Sequence, residues 1–509
     1  MDIQGYRLLV GGFGSIHNEH SKGVERYVLS LSNSMDKKTF DASVAAKAVK
    51  ANEAGPEKVT NNDVSQALPT IRFAGVASNI PSPSWLLKEG DTAFAVLEDT
   101  NEVASLHIER QKAGADGHAD DEGEVNLREI SRVKLPDSSG PTHAAIAMDP
   151  LLGRHLITAD YGDGTVCVLP IESGNVLGPV AQVFHGDPQQ HGPLPAQEGP
   201  HAHWILPLAD GRVLSTDLGA DRIYIHHWRG SRLVRTGFVS LAPGTGPRDM
   251  HVLPGPSGRF GEGDDWGIAV VDEWGCTVTI LEPVSDDSHH KKGQDPSVSG
   301  ASSERQKAAA GDSGNPAHGD TADVSGNEAP DEFWVAQTVS LGGDGGEHPD
   351  QAASLAFVPD ALIPRAEVRN PGEHGEAAVV HASGVSQENT GRDASDSSDS
   401  SSREPSVSAF SRGFVYVGLR GSERIVTLYW DGRKLRRLAP QTEAGWKGRG
   451  ISSGGKRPRH IVAIANMLIA ANEVSDNLSL FRVAPDGEPV HLGDYPAGSP
   501  TSVLPLTRM

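Results

Sequence analysis

Cysteine is nearly absent: two in 509 residues. That excludes a disulfide scaffold and a cysteine-rich zinc module. Long apolar runs are missing as well. No stretch approaches the 18 residues of a membrane-crossing helix. The start, Met1-Asp2-Ile3-Gln4-Gly5, has neither a basic region nor an apolar stretch, so no secretory signal is expected. With two cysteines expected to be unpaired, this points to the cytosol and away from a membrane. Positive charge is scarce: Lys+Arg 45 against Asp+Glu 67 gives a net charge of −22. A chain this acidic lacks the basic footprint that phosphate backbones require, which argues against a nucleic-acid partner. Aromatic residues make up only 5%. Strong helical periodicity is absent too, while short β-rich runs broken by Gly and Asp recur throughout. Gly11-Gly12-Phe13-Gly14 is no phosphate loop, and no Gly-x-Ser-x-Gly elbow occurs. The sequence says nothing about oligomeric state.

The acidic excess is concentrated. Residues 285–333 carry 10 acidic and 4 basic side chains, residues 366–405 carry 8 and 3, and residues 109–129 carry 7 and 3. Together they hold −15 of the −22. Such text buries too little apolar surface to offset the ordering of the chain, so these three segments are expected to be solvated, disordered insertions. The run Asp393-Ala394-Ser395-Asp396-Ser397-Ser398-Asp399-Ser400 is also a candidate phosphorylation target.

The remaining body repeats itself. One unit begins Pro141-Thr142-His143 and continues through Leu156-Ile157-Thr158-Ala159-Asp160. Another has Pro200-His201-Ala202-His203 and Val213-Leu214-Ser215-Thr216-Asp217. A third has Gly246-Pro247-Arg248-Asp249 and Ile268-Ala269-Val270-Val271-Asp272-Glu273, and a late one Arg457-Pro458-Arg459-His460 and Leu468-Ile469-Ala470-Ala471-Asn472-Glu473. Weaker copies lie at 6–33, 82–109 and 350–430. The grammar is a Pro-polar-His/Arg opening, a short strand, a turn, a strand ending in an acidic or amide residue, and an alternating strand. Seven units of roughly 57 residues predict an all-β, seven-bladed propeller in a single domain over 1–509. Radial closure then accounts for many short strands with few exposed edges. The 361–411 insertion falls between two strands of one unit, where a loop grows at small entropic cost.

The openings precede the innermost strands, so His143, His201, His203, Arg248, Arg459 and His460 are expected at one shared mouth. The strand ends Glu98, Asp160, Asp217, Glu273 and Glu473 approach it from the next strand. Arg suits anion binding because its planar fork grips carboxylate or phosphate and stays charged. A globally acidic chain would thus carry a local cationic funnel for a small anion. Each such residue could equally be a staple, bonding to the backbone of the next blade. A His201-x-His203 pair with Asp217 is a possible zinc set, although no third ligand has diagnostic spacing. Either His could instead carry protons near neutral pH. Overall, no metal and no cofactor is expected. His226-His227 and His289-His290 read as incidental surface residues, and Cys167 and Cys276 as packing residues.

Pro200-His201-Ala202-His203, followed by Thr216-Asp217-Leu218-Gly219-Ala220-Asp221-Arg222, resembles the lactonase family of seven-bladed propellers. That family includes bacterial-type 6-phosphogluconolactonases and fungal carboxymuconate-lactonising enzymes. Gly244-Thr245-Gly246-Pro247-Arg248, Val271-Asp272-Glu273, Leu419-Arg420 and Arg457-Pro458-Arg459-His460 resemble further family motifs. Asp249 stands where the family has His, and Leu419 where it has Asn. The resemblance implies hydrolysis of a small anionic sugar lactone to the open acid. In that scheme Arg248 and Arg420 bind the anion or oxyanion, Arg459 assists, Glu273 is the base, and His201 or His203 carries the proton. His143, Asp217 and Glu98 complete the expected substrate-binding set. A lactonising isomerase would use the same groups, and a non-catalytic scaffold would use the acidic insertions instead.

Overall fold

The computed structural model describes residues 4–15, 19–31, 68–110, 125–136, 140–258, 265–284, 332–342, 350–364, 410–439 and 445–508. Within them the chain forms seven antiparallel sheets, blades 1 to 7 of a propeller. The innermost strands of blades 2 to 7 are Pro83–Glu89, Pro141–Asp149, Ala202–Pro207, Pro247–Leu253, Ala352–Pro359 and Pro458–Ile464. Blade 1 takes its innermost strand, Pro500–Arg508, from the end of the sequence, paired with Gln4–Gly12. The ring is therefore closed by hydrogen bonds between the two ends of the described chain.

The second strands are among the most deeply buried. Thr92–Leu97, Gly267–Asp272, Gly413–Leu419 and Met467–Asn472 are buried at every position, because both faces are covered by neighbouring blades. Seven apolar clusters fill the seven gaps between blades. Between blades 5 and 6, Trp430 packs with Val271, Val278, Leu355 and Leu428. Its indole N–H donates to the Pro254 carbonyl at 2.7 Å, so the largest buried side chain hides no unpaired donor. Truncating one such aliphatic core residue to Ala costs about 2–5 kcal/mol. Turns use the expected chemistry: Asp431 Oδ1 accepts from the Arg433 and Lys434 amides around Gly432, whose φ is 96°. Near the axis, a Cβ on Gly12 would sit 2.3 Å from the Ser499 carbonyl oxygen. The Gly-Gly pair thus serves a close backbone approach.

Some expectations on segments are refined. Residues 109–110 end one strand of blade 2, and 125–129 begin the next, so the flanks of the expected 109–129 insertion belong to the blade. Phe333 likewise opens a strand of blade 5. Residues 111–124, 285–331 and all of 366–405 lie outside the described residues, as do His289 and His290. His226 is not a surface residue: it is buried, with Nε2 3.0 Å from Ser215 Oγ. Cys167 and Cys276 are both buried and free, and burial pushes the Cys167 thiol well up. Among the described residues no helix is long and apolar enough to cross a membrane.

Candidate active site

One irregularity recurs in every blade. Between the innermost strand and its neighbour, the register slips by one residue at the same place. Pro83 faces Leu97 but Trp85 faces Val96; Pro141 faces Asp160 but His143 faces Ala159; Pro247 faces Asp272 but Asp249 faces Val271; Pro458 faces Asn472 but His460 faces Ala471. Blades 1, 4 and 6 slip likewise. Each slip is a β-bulge, which leaves one residue unpaired and re-aims its side chain. The seven bulge residues are Thr501, Ser84, Thr142, His203, Arg248, Ala353 and Arg459, for blades 1 to 7. All seven line one pocket on the propeller axis.

The residue after each bulge has a different task. Leu86, Ile205, Leu355, Ile461 and Val503 each donate a backbone N–H to the side chain at this position in the preceding blade. The acceptors are Ser502 Oγ, His143 Nδ1, Asp249 Oδ2, Ser354 Oγ and His460 Nδ1, at 3.0–3.3 Å. Trp85 makes a sixth such link, from its indole N–H to the Ala144 carbonyl at 3.2 Å. This ring of staples joins blade to blade. His143 is not among the pocket-lining residues, and its ring is stacked 3.7 Å from Trp204, whereas His460, at the same position in blade 7, both staples and lines the pocket. Nδ1 must be unprotonated to accept, so His143 and His460 are neutral with hydrogen on Nε2.

A second ring rises from the ends of the second strands. Phe13, Glu98, Tyr161, Leu218, Glu273, Arg420 and Glu473 each donate a backbone N–H to the carbonyl of the residue before the innermost strand, at 2.8–3.3 Å. Here the acidic strand ends divide. Glu98, Glu273 and Glu473 belong to this rim. Asp160 and Asp217 sit one residue earlier, inside the blades. Asp217 Oδ1 accepts the backbone N–H of His201 at 2.8 Å and of Ala220 at 3.1 Å. It shapes the loop and does not line the pocket. His201 turns away as well: Nδ1 meets the Tyr161 carbonyl at 2.7 Å, and its ring stacks on Tyr161. His201, His203 and Asp217 are not brought together as a metal set. Among the described residues no group of three or more His, Cys, Asp or Glu is placed to hold a metal.

Blades 5 to 7 make a cationic wall. The Glu273 carboxylate lies between two arginines, with Oε2 2.8 Å from Arg248 Nη1 and Oε1 paired to Arg420. Burial alone would raise the Glu273 carboxyl, but Arg420 and Arg248 together outweigh it and hold it below the usual carboxylate range. Arg248 Nε donates to the Ala353 carbonyl at 2.9 Å, which locks the guanidinium plane. Burial pulls Arg420 down to about 10, so it stays charged at neutral pH. Its Nε has no hydrogen-bond partner among the described residues. Arg459 pairs with Glu473 at 3.1 Å and lies over the Phe13 ring at 4.7 Å.

His203 stands beside this wall, 6% exposed, with Nδ1 unpartnered. Burial, then Arg248 and Arg459, push its pKa well below 6.5, so the ring is neutral at pH 7. The pocket thus pairs a neutral imidazole carrying a free lone pair with the Arg248 and Arg459 guanidiniums, while Arg420, paired to Glu273, is not among the lining residues. Such a combination of groups is chemically able to hold an anion, move one proton and stabilise a developing oxyanion. Sequence reasoning missed Ser84, Thr142 and Thr501. Pro83-Ser84 and Pro500-Thr501 share the Pro-polar opening, which was the available signal.

A seven-bladed propeller with an arginine-lined axial pocket narrows the class, and comparison with known proteins gives the family. A family model described as "Lactonase, 7-bladed beta-propeller" matches residues 49–310, so the chain belongs to this lactonase family. It is 27% identical over 177 residues to a 6-phosphogluconolactonase of Bacillus subtilis. That match spans 34% of this chain and 49% of the relative, about half its length. Among solved structures, a periplasmic gluconolactonase from Pseudomonas aeruginosa superposes with TM-score 0.56 at 20% identity, over 99% of both chains. A protein from Lactobacillus plantarum gives TM-score 0.56 at 16% identity, over 99% of this chain and 100% of that one. At these identities the structural likeness concerns the fold alone.

Proposed function

We propose that the protein hydrolyses a small anionic sugar lactone, of the 6-phosphogluconolactone kind, to the open acid. The observation that carries this reading is the neutral His203, its Nδ1 unpartnered, beside Arg248 and Arg459 in the axial pocket, with Arg420 paired to Glu273 adding positive charge nearby. The similarity to a 6-phosphogluconolactonase supports the substrate class.

The anionic group of the substrate docks on Arg459, which lines the pocket, while Arg420, paired to Glu273, adds positive charge nearby. Docking neutralises positive charge next to His203, which removes part of what depresses its pKa and makes it a better base when substrate arrives. His203 takes a proton from water as water attacks the lactone carbonyl. The carbonyl oxygen gains negative charge and is met by Arg248. Collapse breaks the ring C–O bond, and His203 returns the proton to the departing ring oxygen. Glu273, expected from sequence as the base, has both oxygens held by guanidiniums and a depressed pKa. We assign it the task of orienting Arg248 and Arg420.

The test is a panel of lactones with product mass as readout, run with and without chelator. Hydrolysis adds one water, whereas isomerisation leaves the mass unchanged. His203→Gln and Arg248→Ala should each lower kcat/KM by about 100-fold or more. Wild-type turnover retained in Arg248→Ala would sink the assignment.

A further inference from the structure

We infer that the wall on blades 1 to 3 is a hydroxyl-recognising subsite with Ser84 as its specificity-determining residue, so that the polyol face of the lactone lies against Ser84, Thr142 and Glu98. The inference rests on the lactonase reading above and adds the orientation of the substrate.

The seven bulge positions are chemically polarised. Blades 5 and 7 carry Arg248 and Arg459, and blade 4 carries His203. Blades 1, 2 and 3, on the opposite side of the axis, carry Thr501, Ser84 and Thr142, all hydroxyls. Their hydrogen bonds differ. Thr501 Oγ1 donates to the Ser84 carbonyl at 2.8 Å. Thr142 Oγ1 reaches two carbonyls only at 3.3 and 3.4 Å. Ser84 Oγ has no partner among the described residues, although Ser84 is 5% exposed and lines the pocket. A buried hydroxyl without a partner is costly and calls for a reason. A serine hydroxyl both donates and accepts, as an alcohol does, so a substrate hydroxyl satisfies both at once.

Glu98 lines the same side of the pocket. Its position is set by its backbone N–H on the Ser82 carbonyl at 3.3 Å, while Ser82 Oγ bonds to Asp99. A carboxylate accepts from alcohols and repels anions, so the phosphate or carboxylate end is directed to blades 5 to 7. Trp85, next to Ser84, adds an indole to the lining. An unsaturated dicarboxylate lactone has no hydroxyl for this wall, whereas a sugar lactone has several.

The experiment compares wild type, Ser84→Ala and Ser84→Thr on 6-phosphoglucono-δ-lactone and on its 2-, 3- and 4-deoxy analogues. Ser84→Ala should raise KM about tenfold on the parent, the scale of one hydrogen bond, with kcat little changed. On the one analogue lacking the hydroxyl that Ser84 reads, the effect should vanish. Ser84→Thr should restore parent affinity, and melting curves confirm that both variants fold. An equal effect on all four lactones, or none, overturns the proposal. If wild type hydrolyses no lactone, the proposed function fails separately, and calorimetry with 6-phosphogluconate and inorganic phosphate then decides. Weaker binding of 6-phosphogluconate alone in Ser84→Ala supports the subsite, and unchanged binding overturns it.

Discussion

The staple ring should make the propeller acid-labile, by an amount the structure sets. His143 Nδ1 and His460 Nδ1 accept backbone N–H groups from blades 4 and 1. Protonation at Nδ1 would replace two inter-blade acceptors with donors facing donors. Burial holds both rings neutral, His143 well below 6.5 and His460 down to about 4. For His143 the neighbouring His251 and His460 add to this; for His460, Asp249 works against it and His251 with it. In the unfolded chain each titrates near 6.5. Below that pH the unfolded chain binds protons that the native state refuses, so stability falls as pH falls. The slope is about 1.4 kcal/mol per pH unit for each ring, or about 2.7 for the pair. That slope is reached below pH 6.5, and from pH 7 to 5 the pair costs about 4 kcal/mol. With unfolding entropy of about 2.1 cal/mol/K per residue over about 340 ordered residues, that is about 6 °C in Tm. The double variant His143→Asn/His460→Asn keeps an oxygen acceptor near each Nδ1 position and removes the titration. Its Tm should fall about 6 °C less than that of wild type between pH 7 and pH 5, measured by calorimetry. An identical fall in both proteins would refute the argument.

Other outcomes follow from the same geometry. Glu273→Gln leaves Arg248 and Arg420 buried without their carboxylate and should cost about 3–5 kcal/mol, about 4–7 °C in Tm; added phosphate should restore part of this in a thermal-shift assay. Asp272 is raised to about 7, by burial against two threonine hydrogen bonds. The native state there keeps a proton that the unfolded chain loses above pH 4, so its contribution weakens as pH rises from 4 to 7. Asp272→Asn should accordingly raise Tm at pH 8 and change it little at pH 4. Deleting residues 500–508 removes the innermost strand of blade 1, and circular dichroism should report loss of the cooperative melt.

Much of the fold is legible in the repeat. Runs such as Ile268-Ala269-Val270-Val271 and Leu468-Ile469-Ala470-Ala471 are apolar at consecutive positions because blades cover both faces. The turns are written in Asp and Gly. What hides is register. Pro141-Thr142-His143 and Pro458-Arg459-His460 look like the same opening as Pro200-His201-Ala202-His203, yet the bulge separates them. His203 and Arg459 enter the pocket, while His143 is a staple and His201 packs on Tyr161. One residue of offset decides between binding and bracing, and composition does not record it. Glu273 and Asp217 look alike as strand ends for the same reason. Closure by Pro500–Arg508 was also hidden, since pairing between distant segments leaves no local pattern.

The recurrent bulge has a consequence for how such a site changes. A bulge residue takes no part in the ladder, so its identity is decoupled from the strand that carries it. Seven such positions around one axis are seats set apart from the ladder, and the molecule seats two cations, one imidazole, three alcohols and one methyl. Exchanging occupants between blades 2 and 5 would move a cation across the pocket and leave the apolar clusters between blades untouched, provided Glu273, the carboxylate that holds Arg248, moved with it. Selectivity in this architecture is thus a matter of seating order, open to stepwise revision without refolding the chain.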